Sequence, residues 1–137
     1  MRMMTTLVLS ATLASAAIAG SASTKPGLPR EGDINNGLLA VAAADKIRRA
    51  CSSISGRFFR ARGYVNDLKD LALERGYTED EIDAYVNDDA EQDKMRVKRN
   101  AYFKSKGASN LDPDSLCVLG REEIRKNSRI GSLLKAK

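Results

Sequence analysis

The sequence predicts an all-α fold, a small bundle of about four helices with one interhelical disulfide. Three observations lead there. Apolar residues recur at alternating steps of four and three from Ala40 to Ala72, the spacing of one helix face. No segment alternates apolar and polar residues for long enough to argue a strand. Two cysteines, Cys51 and Cys117, fall on apolar helix faces of a chain that reads as exported, and an even cysteine count in that setting favours a bridge between them.

The chain has 137 residues, enough for one domain or at most two. Residues 1–19 carry Arg2, an uncharged run from Leu7 to Ala19, and the small-residue signal Ala17-Ile18-Ala19. These are the three parts of a secretory signal peptide. The run is shorter than the roughly 20 apolar residues of a membrane anchor and is mostly small side chains. Cleavage is expected after Ala19, with a second site after Ala22. The bacterial style of the segment points to the periplasm or the exterior. Residues 20–32, with Pro26 and Pro29, read as a flexible leader, and 33–137 as a single helical domain.

The first helical stretch holds the long seam: Ala40, Ala44, Ile47, Cys51, Ile54, Phe58, Ala61, Val65, Leu68 and Ala72. A single helix there would run about 57 Å. Gly56 and Gly63 each cost about 1 kcal/mol in a helix interior, so two helices are expected, 34–54 and 57–75, fused or not. Gly76 is placed to stop the second. Thr78 and Glu81 have the spacing of a capping box. They open a third helix that carries Ile82, Tyr85, Val86, Ala90, Val97 and Ala101 on one face and runs to about Lys106 before Gly107. Asp112-Pro113 starts a fourth, with Leu116, Cys117, Gly120 and Ile124 inward. The tail Ile130–Leu134 either packs as a last half-turn or stays mobile.

Composition excludes several chemistries. The chain has no His, so it has no Ser-His or Cys-His pair and no imidazole metal site. Two Cys cannot make a four-cysteine cluster. No glycine-rich phosphate loop or other cofactor motif is present. Ser132-Leu133-Leu134-Lys135 matches S-x-x-K but lacks the motifs that accompany it in acyl-transfer enzymes. Asn87–Asp93 lacks the glycine and the terminal glutamate of a calcium loop.

Charge is uneven. Lys and Arg number 23 against 18 Asp and Glu, a net +5 that falls to +4 without Arg2. Eight acids and no base occupy residues 79–93, and six bases and no acid occupy 94–106. Acids at a helix start and bases at its end complement the helix dipole; the same blocks would also serve as a polar docking surface. Arg57–Tyr64 and Lys98–Lys104 interleave bases with aromatics. Phe58 lies on the core seam and export separates the chain from most nucleic acid, so an anionic membrane surface or an acidic partner is expected instead, although +4 is modest and no strongly basic cluster is present. The residues marked for a partner are Arg57, Arg60, Arg62, Lys98 and Arg99.

Several short motifs carry a resemblance in their order: Ala43-Ala44-Asp45-Lys46-Ile47-Arg48, Cys51, Gly76-Tyr77-Thr78, Glu81-Ile82, Ala84-Tyr85-Val86, Ser115-Leu116-Cys117, Leu119-Gly120-Arg121, Ser128-Arg129-Ile130-Gly131 and Leu133-Leu134. From Gly37 to Leu134 the chain resembles a small family of exported alphaproteobacterial proteins, a domain of unknown function. The resemblance implies export and a two-cysteine helical fold, and no activity. The expected role is that of a non-enzymatic periplasmic protein-binding module, such as an accessory subunit of an envelope complex. The alternatives are a periplasmic stress chaperone and a hydrolase of envelope polymers working through two carboxylates.

Overall fold

A computed structural model describes residues 25–137. It is all-α apart from one short strand pair. A 3₁₀ turn (Leu28–Arg30) leads into α1 (Gly32–Ala50). Then come β1 (Ile54–Gly56), α2 (Phe58–Glu74), α3 (Glu79–Val86), α4 (Asp89–Ser105) and α5 (Pro113–Lys126). A second 3₁₀ turn (Gly131–Leu133) and β2 (Leu134–Ala136) complete it. The signal peptide expected over 1–19 lies outside the described residues.

Helix α1 is central, with α2, α4 and α5 packed on it. Its small residues Ala40, Ala43 and Ala44 are buried beside Ile47, so its neighbours approach the backbone closely. The main core adds Phe103 from α4, Leu116 and Leu119 from α5, and Ile130, Leu133 and Leu134 from the tail. Gly120 sets the α1–α5 spacing. A Cβ there would stand 2.6 Å from both Ile47 Cγ2 and Ile54 Cδ1, well inside van der Waals contact. The tail, left open between packed and mobile, is packed.

Both seam helices exist, and the chain breaks between them. Cys51 turns to extended backbone (φ −114°, ψ 109°) and ends α1 three residues before the expected boundary. Strand β1 follows and pairs antiparallel with β2, Ile54 opposite Ala136 and Gly56 opposite Leu134. The sequence argues no strand because three residues are too few to display alternation. The break also resets the helical phase. Ala61, Leu68 and Ala72 still face inward, but Phe58, expected on the core seam, is 63% exposed.

The expected third helix is two. The capping box at Thr78 forms: Glu81 N donates to Thr78 Oγ1 (3.1 Å) and Thr78 N to Glu81 Oε2 (2.7 Å). The helix then stops at Asn87. Asp88 accepts from Glu91 N (2.8 Å) and caps a new helix. Past this corner the face expected to continue from Ile82 does not stay inward. Val97 is 69% exposed, while α4 buries Phe103 completely. Asp112 and Pro113 start α5 as expected, with Asp112 accepting from Asp114 N and Ser115 N.

The expected leader ends earlier than residue 32, because its second half belongs to the fold. Leu28 is buried with Ile34, Ala72, Tyr77 and Ile82 in a second apolar cluster. Over that cluster sits a polar latch. Buried Glu31 accepts from Tyr77 O–H (2.8 Å) and Arg75 Nη1 (2.5 Å). Arg75 reaches on to Asp33, with Nη1 2.8 Å from Oδ1 and Nη2 on Oδ2. Buried Asn35 donates to the carbonyls of Leu28 (2.7 Å) and Glu31 (2.8 Å) and accepts from Tyr85 O–H. The Arg75 hydrogen bonds hold the Asp33 carboxyl down at about 2, and burial pushes the Tyr77 hydroxyl up, with Glu31 adding to it.

Cys51 and Cys117 form the disulfide, tying the end of α1 to α5 with 5.2 Å between Cα atoms, inside the usual range. Replacing both cysteines by Ala removes about 4 kcal/mol on the chain-entropy model of a loop this long, read as a lower urea midpoint. A midpoint unchanged by the double substitution refutes that weight for the bridge.

The latch gives stability a pH dependence. Asp33 has a depressed folded-state value, so its contribution is present above its ordinary value near 4 and is lost as pH falls toward 2. Asp33→Asn is therefore expected to melt below wild type at about pH 6, with the gap closing by about pH 2. Parallel melting curves across that range would remove Asp33 from the latch.

Candidate functional site

Beside the buried seam of α1 runs a second stripe, Leu38, Val41, Ala42 and Asp45, spaced for a neighbouring helix face. It is half-buried, because α2 and α4 pack to either side and leave it uncovered. Over it lies a hollow of about 290 Å³ lined further by Tyr85 and Val86 of α3 and by Glu91, Gln92 and Met95 of α4. Leu38, Tyr85 and Val86 also line a second hollow of about 200 Å³ with Ile34, Val65 and Leu68. Val41 and Asp45 line a third of about 130 Å³ with Arg48, Arg57, Phe58 and Ala61. The shared residues join the three into one apolar trough along α1 from Ile34 to Arg48. That is about 21 Å, or four turns of a helix.

Charge is mixed along the trough. Asp83 and Lys69 line the hollow at its start, and Glu91, paired with Lys94, lines the middle one. At the other end Asp45 is held by Arg48 (2.6 Å) and Arg49 (2.8 Å), and Arg57 lines the wall. Arg99 comes up to the same region from α4. Burial pulls its guanidinium below the usual arginine value, Arg49 and Arg96 nearby add to the effect, and Asp45 opposes it. An apolar groove of this length with charged residues along its rim has the form that accepts an amphipathic helix.

The five residues marked for a partner do not make one surface. Arg57 N and Nε donate to the carbonyls of Leu133 (2.8 Å) and Leu134 (3.0 Å), and Arg60 Nη1 to that of Ser132 (3.2 Å). These two sit together at the start of α2. Arg99 lies near Arg49 and Asp45 but lines none of the three hollows. Arg62 and Lys98 are exposed and line none of the three hollows. Sequence reasoning chose bases next to aromatics and passed over Leu38, Val41, Ala42, Tyr85, Val86 and Met95. The available signal was that α1 is apolar on more than one face.

Elsewhere the charge blocks resolve mainly into caps and local pairs. Lys94–Glu91 (2.9 Å) and Arg96–Asp93 are both i,i+3 pairs. Ser132 Oγ donates to the Arg129 carbonyl (2.7 Å). Among the described residues the buried carboxylates are Glu31 and Glu123, and they sit in separate clusters. Glu123 accepts from Tyr102 O–H (3.1 Å), whose hydroxyl is pushed up to about 12 by burial and by that carboxylate. Glu123 is the one carboxylate lining the open hollow it shares with Asn36 and Arg129. Among the described residues no group of three or more His, Cys, Asp or Glu is placed to hold a metal, and no helix is long and apolar enough to cross a membrane.

No curated protein and no solved structure matches the chain. A family model does match, over residues 26–135, which runs from the first 3₁₀ turn to the first two residues of β2. The chain therefore belongs to the family of unknown function DUF5333.

Proposed function

We propose that this chain is a non-enzymatic protein-binding module of the bacterial envelope, an accessory subunit that holds an amphipathic helix of its partner in the trough over α1. The observation that carries the reading is the trough itself: an uncovered apolar stripe on the central helix, walled on both sides and rimmed by charged residues of both signs. Export rests on the signal-like residues 1–19, and a structural disulfide suits an oxidising compartment. The same reading places the chain among alphaproteobacterial proteins that keep these two cysteines.

A stress chaperone is the second reading, and the latch favours it. Acid that protonates Asp33 removes one of the two carboxylates that Arg75 spans above the Leu28–Ile34 cluster. The carboxylate-hydrolase reading has less support, since Glu31 and Glu123 do not face each other across one cavity.

The test is co-purification of the tagged chain from the envelope fraction, with variants that spoil the trough. Val41→Asp and Met95→Asp are each expected to reduce a stoichiometric partner at least about tenfold, a loss near 1.4 kcal/mol. Lys98→Glu, away from the trough, is expected to leave it unchanged. A partner retained by both trough variants, or a lone monomer in wild type, overturns the accessory-subunit reading. Suppression of client aggregation only as pH falls toward 2 moves the assignment to the chaperone.

A further inference from the structure

The first turn of α2 presents a second arrangement, which overlaps the trough only at Arg57 and Phe58. Phe59 is 93% exposed, more than any other large apolar side chain among the described residues, and its neighbour Phe58 is 63% exposed. With Arg57, Arg60, Gly56 and Lys135 they line one open hollow, and no carboxylate lines it. None of Arg57, Arg60 and Lys135 enters an ion pair among the described residues. The first turn of α2 also carries no acid and no side-chain cap, so the positive end of the helix dipole adds to the cations.

The cluster is held rigidly. Backbone and side-chain donors of Arg57, and the guanidinium of Arg60, grip the carbonyls of the 131–134 turn. The Arg48 guanidinium stacks over the Phe58 ring, 5.2 Å from its centre. Two projecting rings inside a collar of unpaired cations complement a surface that is anionic outside and apolar a few ångströms beneath. A bilayer of anionic phospholipid has that profile. A folded acidic protein would offer the charge without the apolar depth.

We propose that the Phe58–Phe59 knuckle anchors this protein peripherally to an anionic phospholipid bilayer. The rings enter below the headgroups, and Arg57, Arg60 and Lys135 meet the phosphates. The knuckle shares Arg57 and Phe58 with the last hollow of the trough, but Phe59, Arg60 and Lys135 line none of the three, so a test read at those three positions is independent of the trough.

The chain has no tryptophan, so Phe59→Trp places a single reporter on the knuckle without disturbing the core. In the full chain, its emission is expected to move to the blue on adding phosphatidylglycerol vesicles. Bromine-labelled acyl chains should then quench it. Neutralising Arg60 and Lys135 (R60Q, K135Q) in that background should weaken partitioning about fivefold each and about 25-fold together, at roughly 1 kcal/mol per cation. Residues 1–19 could carry the chain to any vesicle, so sedimentation without a change at position 59 overturns the anchor. An equal response to phosphatidylcholine vesicles overturns the anionic-lipid assignment. A blue shift that grows with protein concentration in the absence of vesicles assigns the rings to a second copy of the chain, which also overturns it.

Discussion

Everything in this fold depends on how closely the end of α1 can approach α5. Gly120 has no side chain, so Ile47 and Ile54 lie directly against the α5 backbone. The same approach brings Cys51 and Cys117 within bridging distance. It places β1 where the returning tail can pair with it, and the paired tail supplies Leu133 and Leu134 to the core. A methyl group at position 120 would press on both isoleucines, and overpacking of this kind typically costs about 1–3 kcal/mol. The covalent bridge and the glycine thus act on one joint, one by restricting the unfolded chain and the other by removing a clash.

The polar groups divide along the same axis. At the far end of α1 the latch of Glu31, Asp33, Arg75 and Tyr77 joins the first 3₁₀ turn to the loop after α2. At the near end the cations gather around Asp45 and the start of α2. Between them the middle of α1 is small and apolar on two faces, one filled by α5 and the tail and the other left as the trough. The functional surfaces therefore follow from the choice of central helix: α1 must be apolar most of the way round, and only part of that circumference is covered.

Much of the local structure is legible in the chain. Thr78 with Glu81 and Asp112 with Pro113 announce helix starts, because a side-chain acceptor three residues before an unpaired N–H is a short-range requirement. Gly76 announces a stop, because its φ of +87° suits glycine. The α3–α4 corner is harder to see. Asp88 is one acid among eight, and nothing in the acid block marks it as a cap. The strand pair is invisible locally, since each strand is three residues long and its partner lies at the other end of the domain. Phe58 is misread because the four-three count runs on through β1 although the helical phase does not. The trough is the least legible part: Leu38 and Val41 look like core until α2 and α4 are seen to pass on either side of them.

The pairing of Ile54 with Ala136 has a consequence for the order in which the chain can become native. A polypeptide that emerges vectorially presents α1 and its exposed strand edge long before β2 exists. Helix α3 has its own capping box, but the main core lacks Leu116, Ile130, Leu133 and Leu134 until α5 and the tail have followed. Such long-range closure is slow compared with helix formation. An oxidant that acts before Cys117 has emerged has no native partner to offer Cys51.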